Sequence, residues 1–272
     1  MGALAAPLHR TKALRALGGA GAAGALLAAA WAALGWPSHM PAADLSVLPR
    51  MVRVSVAPLP VTALGEADPE AAPLAPRALW VQVREVTVAE WNACHADGGC
   101  AFALPARAGD PAALPATGLS QPDAQAFAAW VSARTGHPFR LPALSEWRAL
   151  AAPVLPEAPD PIFDDPNLRW AAGYLLEAGG TRALRPSGSF SATPDGILDL
   201  DGSVWEWTAD CYAGSAGPVD PEHCPAFFVA GEHVAAVSYL ERDPARGGCA
   251  VGAPPAHLGM RLVSDSASPT RF

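Results

Sequence analysis

Short stretches of alternating hydrophobic and polar residues predict several strands in this chain. The alternation is clearest in Val52–Val56 and recurs in Leu79–Val88. A period of two residues is typical of a strand that buries one face. Three shorter apolar runs, also predicted as strands, follow in the second half of the chain: Phe227–Val229, Val234–Leu240 and Leu258–Val263.

Helices are predicted at three places between these strands. The longest begins after Ser120, a residue type favoured at the N-cap, and ends at Gly136, a type favoured just past a helix. Its apolar face is formed by Ala126, Phe127, Trp130 and Val131. A second helix follows Pro142 and stops before Pro153, and a short one runs from Thr87 to Trp91. Helices among short strands and long loops indicate an α+β fold.

The first 44 residues differ from the rest. No charged residue occurs from Ala16 to Trp36, and four basic residues precede this run: His9, Arg10, Lys12 and Arg15. About 20 apolar residues span a bilayer as a helix, and preceding positive charges favour a cytoplasmic N-terminus. We therefore expect an N-terminal hydrophobic helix. It is either a signal anchor in the inner membrane or a signal peptide that is cleaved near Pro41–Ala43.

The predicted organisation has three segments. Residues 1–44 are the signal anchor or signal peptide with a linker, residues 45–265 are one domain, and residues 266–272 are a C-terminal tail. The domain is expected in the periplasm, or otherwise outside the cytoplasm, and it contacts the membrane through residues 16–36 if the segment is retained.

Composition indicates a loop-rich protein and argues against nucleic-acid binding. The 272 residues include 29 Pro and 25 Gly, and only 16% are charged, with a formal net charge of −8. A chain this poor in Lys and Arg lacks the positive surface that phosphate backbones require.

Four of the five cysteines form two local pairs by their spacing. Cys94 and Cys100 flank a Gly-Gly turn, and Cys211 and Cys224 flank a loop rich in Gly and Pro. These spacings suit two disulfides in an oxidising compartment, with Cys249 left over. Zinc binding is the alternative, although the chain has no CxxC motif.

Four motifs, taken in order, resemble those of one family. They are Arg84–Trp91 (REVTVAEW), Gly118–Trp147 (ending RLPALSEW), Pro194–Thr208 (PDGILDLDGSVWEWT) and Leu258–Val263 (LGMRLV). The set is similar to the motifs of the formylglycine-generating enzyme family, also called sulfatase-modifying factors, over residues 48–263. The resemblance implies that residues 45–265 form a formylglycine-generating-enzyme-like variant of the C-type-lectin-like fold.

Several side chains of these motifs are expected to hold the core together. Arg140 precedes a helix whose Glu146 and Trp147 can reach back towards it, which suggests a buried Arg–Glu pair beside an aromatic core residue. Successive side chains of a strand point to opposite faces, so Glu206 lies on one face and its two neighbours on the other. The remaining motif residues are Trp205, Trp207 and Arg261.

The resemblance also implies a structural calcium ion. The positions that match the family's ligands are Asp199, Gly202, Val204 and Glu206. Two carboxylates and two backbone carbonyls from one tight loop are the hard oxygen ligands that Ca²⁺ prefers. A solvated acidic turn is the alternative interpretation.

The cysteine pair of an active family member is missing. Enzymes of this family resemble one another in two nearby cysteines that suit Cu(I), placed after an RGGS-type motif, and they oxidise a sulfatase cysteine to formylglycine. The place of that motif falls near Ala230–His233, where nothing matches, and Arg246–Cys249 offers one cysteine only. One thiolate cannot form a two-thiolate copper site.

We therefore expect a pseudoenzyme that serves as a non-catalytic accessory, maturation or binding partner of another periplasmic protein. The alternative is a divergent metal-dependent oxidase that uses Cys249, with His233 or His257, on a protein cysteine. A lectin-like module is a third hypothesis, which fold analogy alone supports.

Overall fold

Seven short strands form two sheets in this computed structural model, which describes residues 44–68, 70–72, 74–155, 183–212, 223–232, 234–243 and 257–266. The strands are β1 (Met51–Val56), β2 (Arg77–Gln82), β3 (Val204–Cys211), β4 (Ala226–Ala230), β5 (Val234–Ser238), β6 (His257–Gly259) and β7 (Val263–Ser264). The first sheet has the order β1-β2-β7 and is antiparallel. The second has the order β5-β4-β3-β6, in which only the β3–β6 pair is parallel.

The described residues form three α-helices, which lie between β2 and β3 in sequence: α1 (Val88–Ala96), α2 (Gln121–Thr135) and α3 (Leu144–Ala151). The first turn of each contains a carboxylate that accepts a backbone N–H, which satisfies a donor that the helix leaves free. These carboxylates are Glu90, Asp123 and Glu146. At the other end of α2, Gly136 takes the left-handed conformation with φ of 71°. The predicted α+β fold is thus confirmed.

Two predicted boundaries differ from the observed ones. β2 ends at Gln82 rather than at Val88, because Thr87 accepts a hydrogen bond from the Glu90 amide and begins α1. That helix continues past Trp91 to Ala96, since one further turn buries Cys94 as well.

The predicted strand Leu258–Val263 is two short strands in different sheets. β6 pairs with β3, β7 pairs with β2, and residues 260–262 connect them. The Met260 carbonyl accepts a hydrogen bond from the Val86 amide at 3.0 Å, and the Leu262 carbonyl accepts one from the Gln82 amide at 2.9 Å. The segment that contains Arg261 therefore runs from one sheet to the other.

The core consists of two groups of buried side chains. One lies around α1 and α2, where the rings of Trp91 and Phe127 stack with their centroids 6.0 Å apart. The other includes Leu79 of β2, Trp147 of α3 and Phe228 of β4. Because large aromatic side chains bury the most apolar surface, they supply much of the hydrophobic stabilisation in both groups.

Both predicted disulfides are confirmed. Cys94 bonds to Cys100 and Cys211 bonds to Cys224, with Cα–Cα distances of 5.3 and 5.8 Å. The first closes the end of α1, and the second joins the end of β3 to the residues just before β4. These four sulfurs are therefore not available as zinc ligands.

Several predictions fall on residues that the structure does not describe. They include the N-terminal hydrophobic helix, the tail from residue 267 onwards, His233 and Cys249. Within the described residues, no helix is both long enough and apolar enough to cross a membrane.

Candidate functional site

An ion pair between Arg261 and Glu206 lies at the centre of the molecule. Neither side chain is exposed, and Nη2 of Arg261 lies 2.8 Å from Oε1 of Glu206. Burial by itself lowers the pKa of Arg261, but the charge and hydrogen bonds of Glu206 outweigh it and raise that pKa. The guanidinium therefore stays protonated inside the protein.

Backbone carbonyls satisfy the remaining donors of Arg261. Nη1 donates to the carbonyls of Gln82 and Val83 at 3.0 and 3.2 Å, and Nη2 donates to the carbonyl of Leu198 at 2.8 Å. One side chain thus joins the end of β2, the loop before β3 and β3 itself. A buried charge is tolerated only when its hydrogen bonds are complete in this way.

One of the three motif tryptophans contacts this pair directly, and the other two are buried on the opposite face of β3. Nε1 of Trp147 donates to Oε2 of Glu206 at 2.8 Å, so α3 contacts the ion pair directly. Nε1 of Trp207 donates to the Leu119 carbonyl at 2.7 Å, on the opposite face of β3, and Trp205 is also buried. Each indole N–H of Trp147 and Trp207 has a partner, as buried tryptophans require.

Arg140 and Glu146 form a second ion pair nearer the surface. Nη1 and Nη2 of Arg140 each donate to one oxygen of Glu146, both at 2.8 Å. Glu146 is buried, whereas about a third of Arg140 is exposed, and Arg77 also pairs with the same carboxylate. Hydrogen bonds from Arg140, helped by Arg77 and opposed by burial, lower the pKa of Asp265 at the edge of this cluster to about 2.

Glu85, which the sequence analysis did not single out as a site residue, is a buried carboxylate beside the central ion pair. Only 2% of the residue is exposed, and Oε2 has no hydrogen-bond partner among the described residues. Burial raises the pKa of Glu85 to about 8; the charge of Arg261 opposes this shift, and those of Glu206 and Asp199 add to it. An unpartnered buried carboxylate is costly, and it is a common sign of a functional position.

A narrow cleft next to Glu85 collects several oxygen donors. Its lining includes Glu85, Ser187, Asp199, Ser203 and Val204 together with the positively charged Arg185, and we call it the Glu85 cleft. The hydroxyl of Ser187 also has no hydrogen-bond partner among the described residues. The carboxylate of Asp199 accepts the amides of Gly188 and Phe190, the latter at 2.9 Å. Carboxylate and hydroxyl oxygens are hard ligands that suit Ca²⁺ better than a soft metal.

The four predicted calcium ligands do not all face this cleft. Asp199 and Val204 line it, and Gly202 follows in the same turn, where its amide donates to the Asp199 carbonyl at 2.9 Å. Glu206 instead directs both carboxylate oxygens at Arg261 and Trp147. The second acidic side chain that lines the cleft with Asp199 is that of Glu85.

Side chains alone do not complete a metal site in the described part of the chain. No group of three or more His, Cys, Asp or Glu residues there is arranged to hold a metal ion. A cation in the Glu85 cleft would therefore need backbone carbonyls besides the two carboxylates. That ligand set is one that Ca²⁺ accepts and that most transition metals do not favour.

The place expected for the RGGS-type motif begins at Ala230, the last residue of β4, and the described residues that follow it include β5. β4 and β5 pair from Ala226 with Ser238 to Ala230 with Val234, and the buried residues of β5 are Ala235, Ala236 and Val237. Every cysteine in the described part of the chain is in a disulfide. His257 begins β6 and is half-buried.

Comparison with known proteins gives one family match and several structural matches. Residues 39–266 match the sulfatase-modifying factor enzyme 1-like domain. PvdO from Pseudomonas aeruginosa is 20% identical with a TM-score of 0.50, covering 82% of this chain and 96% of PvdO. CarF is 17% identical with a TM-score of 0.51, covering 81% of this chain and all of CarF (100%). At these identities the structures share a fold, and no activity follows from them. No curated protein matches the chain.

Replacing Arg261 with methionine is expected to destabilise the protein strongly. The change leaves the Glu206 carboxylate buried without its partner, which typically costs about 3–5 kcal/mol. Arg84→Met is the matched control, because the Arg84–Glu90 pair is partly exposed and such pairs contribute about 0–1 kcal/mol. Denaturant unfolding of the full chain measures both losses. Equal losses would contradict the central role of Arg261.

The titration of Glu85 predicts a pH dependence of stability. The folded protein keeps the Glu85 proton up to a pKa of about 8, whereas the unfolded chain releases it near the ordinary value of about 4.3. The folded state binds more protons between these values, so the free energy of unfolding decreases as pH rises, by at most about 1.4 kcal/mol per unit.

Glu85→Gln removes this titrating group and keeps the shape of the side chain. Unfolding measured from pH 5 to 8 without calcium should then show a flatter pH dependence than the wild type. An unchanged slope would show that Glu85 does not titrate in this range.

Proposed function

Since the chain belongs to the sulfatase-modifying factor enzyme 1-like family, whose members include the formylglycine-generating enzymes, we propose that it is a non-catalytic member. In this proposal it acts outside the cytoplasm as an accessory, maturation or binding partner of another protein. The family membership rests on the match over residues 39–266, which is most of the chain. The proposed non-catalytic role rests on the number of cysteine thiols that remain outside the disulfides.

The count of free thiols carries the proposal. The chain has five cysteines, and four of them are in the two disulfides. Five minus four leaves Cys249, so at most one thiolate per chain can reach a metal. Cu(I) sites of the formylglycine-generating type need two thiolates from the same chain. A chain with one free thiolate cannot supply the pair of sulfur ligands that binds the metal and activates oxygen.

The disulfides also support a place outside the cytoplasm. Structural disulfides form and persist in oxidising compartments and are rare where glutathione keeps thiols reduced. The uncharged run Ala16–Trp36, with basic residues before it, provides a signal for export or for anchoring in the inner membrane. Both features agree with a periplasmic protein, tethered if the segment is retained.

A structural calcium ion in the Glu85 cleft is part of the proposal. Its support is the orphaned oxygen of Glu85, the orphaned hydroxyl of Ser187 and the neighbouring carboxylate of Asp199. When bound, the ion would neutralise negative charge and join the residues before β3 to the segment that precedes α1. It would hold the scaffold in place and take no part in a reaction.

Copper binding separates the proposed role from the oxidase alternative. We expect the full chain to take up no stoichiometric Cu(I) in an anaerobic titration against a chelator, without thiol reductants that would open the disulfides. Wild type and Cys249→Ser should behave alike, and neither should consume oxygen with a cysteine peptide. One tight equivalent of Cu(I) in the wild type, absent from Cys249→Ser, would establish a divergent oxidase instead.

Calcium binding should depend on Glu85. We expect calorimetric titration of the calcium-free full chain to show one site in the wild type and none in Glu85→Gln. The matched control is Asp195→Asn, because Asp195 is an exposed carboxylate outside the Glu85 cleft. Binding that survives in Glu85→Gln and disappears in Glu206→Gln would restore the ligand set predicted from sequence.

A further inference from the structure

The outer edge of β1 carries backbone groups that no other strand of the described residues uses. β1 is at the edge of its sheet, and the Arg50 carbonyl accepts the Val83 amide at 2.9 Å. Hydrogen-bonded residues alternate along an antiparallel pair, so the amides and carbonyls of Met51, Arg53 and Ser55 face away from β2. In the described part of the chain, those of Arg53 and Ser55 have no backbone partner.

An apolar groove runs beside this edge, and we call it the edge groove. Its volume is about 260 Å³, and it lies between β1 with the residues after it and the C-terminal end of α3. Its apolar lining comes from Val54, Val56 and Leu59 on one side and Ala149, Leu150 and Pro153 on the other. The small side chain of Ala149 leaves the space open, and among the described residues Asp195 is the charged one that lines it.

The opposite face of β1 carries an unpaired positive charge. Side chains alternate along a strand, so Arg53 points away from the face on which Val54 and Val56 pack. Arg53 is exposed and forms no ion pair with any described residue, and neither does Arg50, which precedes β1. A strand beside β1 with a carboxylate opposite Arg53 would complement this charge.

We propose that β1 and the edge groove bind an extended segment of a partner protein by strand addition. The segment carries apolar side chains that enter the groove and acidic side chains, at the alternate positions, that face Arg53. Main-chain hydrogen bonds to Arg53 and Ser55 provide affinity, and the groove and the arginine provide specificity. This surface serves the binding role proposed above and rests on it.

Charge argues against a second copy of this chain as the occupant. Two β1 strands paired antiparallel about a two-fold axis at residue 53, the middle of the outward-facing residues Met51, Arg53 and Ser55, would place Arg53 opposite Arg53, and like charges directly opposite each other are destabilising. Charged residues on an edge strand are a usual protection against self-association. Asp195 in turn disfavours acidic side chains inside the groove, which fixes the face that the partner's carboxylates must occupy.

The test uses a labelled peptide of alternating valine and glutamate, six residues long to match β1, and fluorescence anisotropy. The full chain is held in lipid nanodiscs, because free detergent would compete for an apolar groove. We expect the peptide to bind, and a valine–lysine peptide to bind more weakly by on the order of tenfold. A valine–glutamate peptide methylated on every backbone amide should not bind, because it cannot donate to the strand edge.

Two pairs of variants locate the surface. Arg53→Glu should reverse the preference between the two peptides, whereas Arg107→Glu, an exposed arginine of the loop before α2, should leave it unchanged. Ala152→Trp should fill the edge groove and abolish binding, whereas Ala129→Trp, on the exposed side of α2, should have no effect.

Several outcomes would overturn the proposal. The first is no binding of the valine–glutamate peptide up to about 1 mM, because a Kd of that size corresponds to only about −4 kcal/mol. The second is an equal effect of a variant and its control on binding. The third is retained binding of the methylated peptide. Light scattering that shows a dimer abolished by Arg53→Glu would assign the edge to a second copy. If the peptide does not bind and the copper titration shows no Cu(I) uptake, only the proposed binding surface is wrong. If the chain takes up Cu(I), the proposed non-catalytic role is wrong.

Discussion

The ion pair of Arg261 and Glu206 is the constraint on which the rest of this structure depends. Moving an ion out of water costs several kcal/mol even after relaxation, so a fully buried pair is tolerated only when every donor and acceptor is satisfied. Here the carbonyls of Gln82, Val83 and Leu198 and the indole of Trp147 complete the set. These residues belong to three separate segments, the end of β2, the loop before β3 and α3, each of which must arrive in position for the pair to be stable.

Glu85 shows that the same region also tolerates polar groups that have no hydrogen-bond partner among the described residues. Its orphaned oxygen lies beside Asp199 in a cleft that also holds the Ser187 hydroxyl. A neutral carboxyl is one way to reduce the cost of burying this group, and a bound cation is another, because each removes the uncompensated negative charge. In the calcium proposal, the ion takes the place of the proton that Glu85 otherwise holds.

The scaffold and the catalytic chemistry of this family are separable in physical terms. The scaffold needs the Arg261–Glu206 pair, the buried tryptophans and the capped helices, and all of these are present. Copper chemistry needs two thiolates at one place, and the β4–β5 hairpin offers alanine and valine there. The described residues therefore keep the scaffold of the family.

The sequence by itself determined the features that depend on neighbours along the chain. The boundaries of α2 follow from Ser120 and Gly136, because capping acts within one turn. The disulfides follow from separations of 6 and 13 residues. The family motifs, read in order, were sufficient to identify the fold.

Only the tertiary structure decided which charges meet. Glu206 pairs with Arg261, 55 residues away, although its spacing also suited a calcium ligand, and Glu85 takes the position beside Asp199. The tertiary structure also divides Leu258–Val263 between two sheets and places β1 at the edge of its sheet. Contacts between distant segments depend on how the whole chain packs, and no local pattern of hydrophobic and polar residues encodes them.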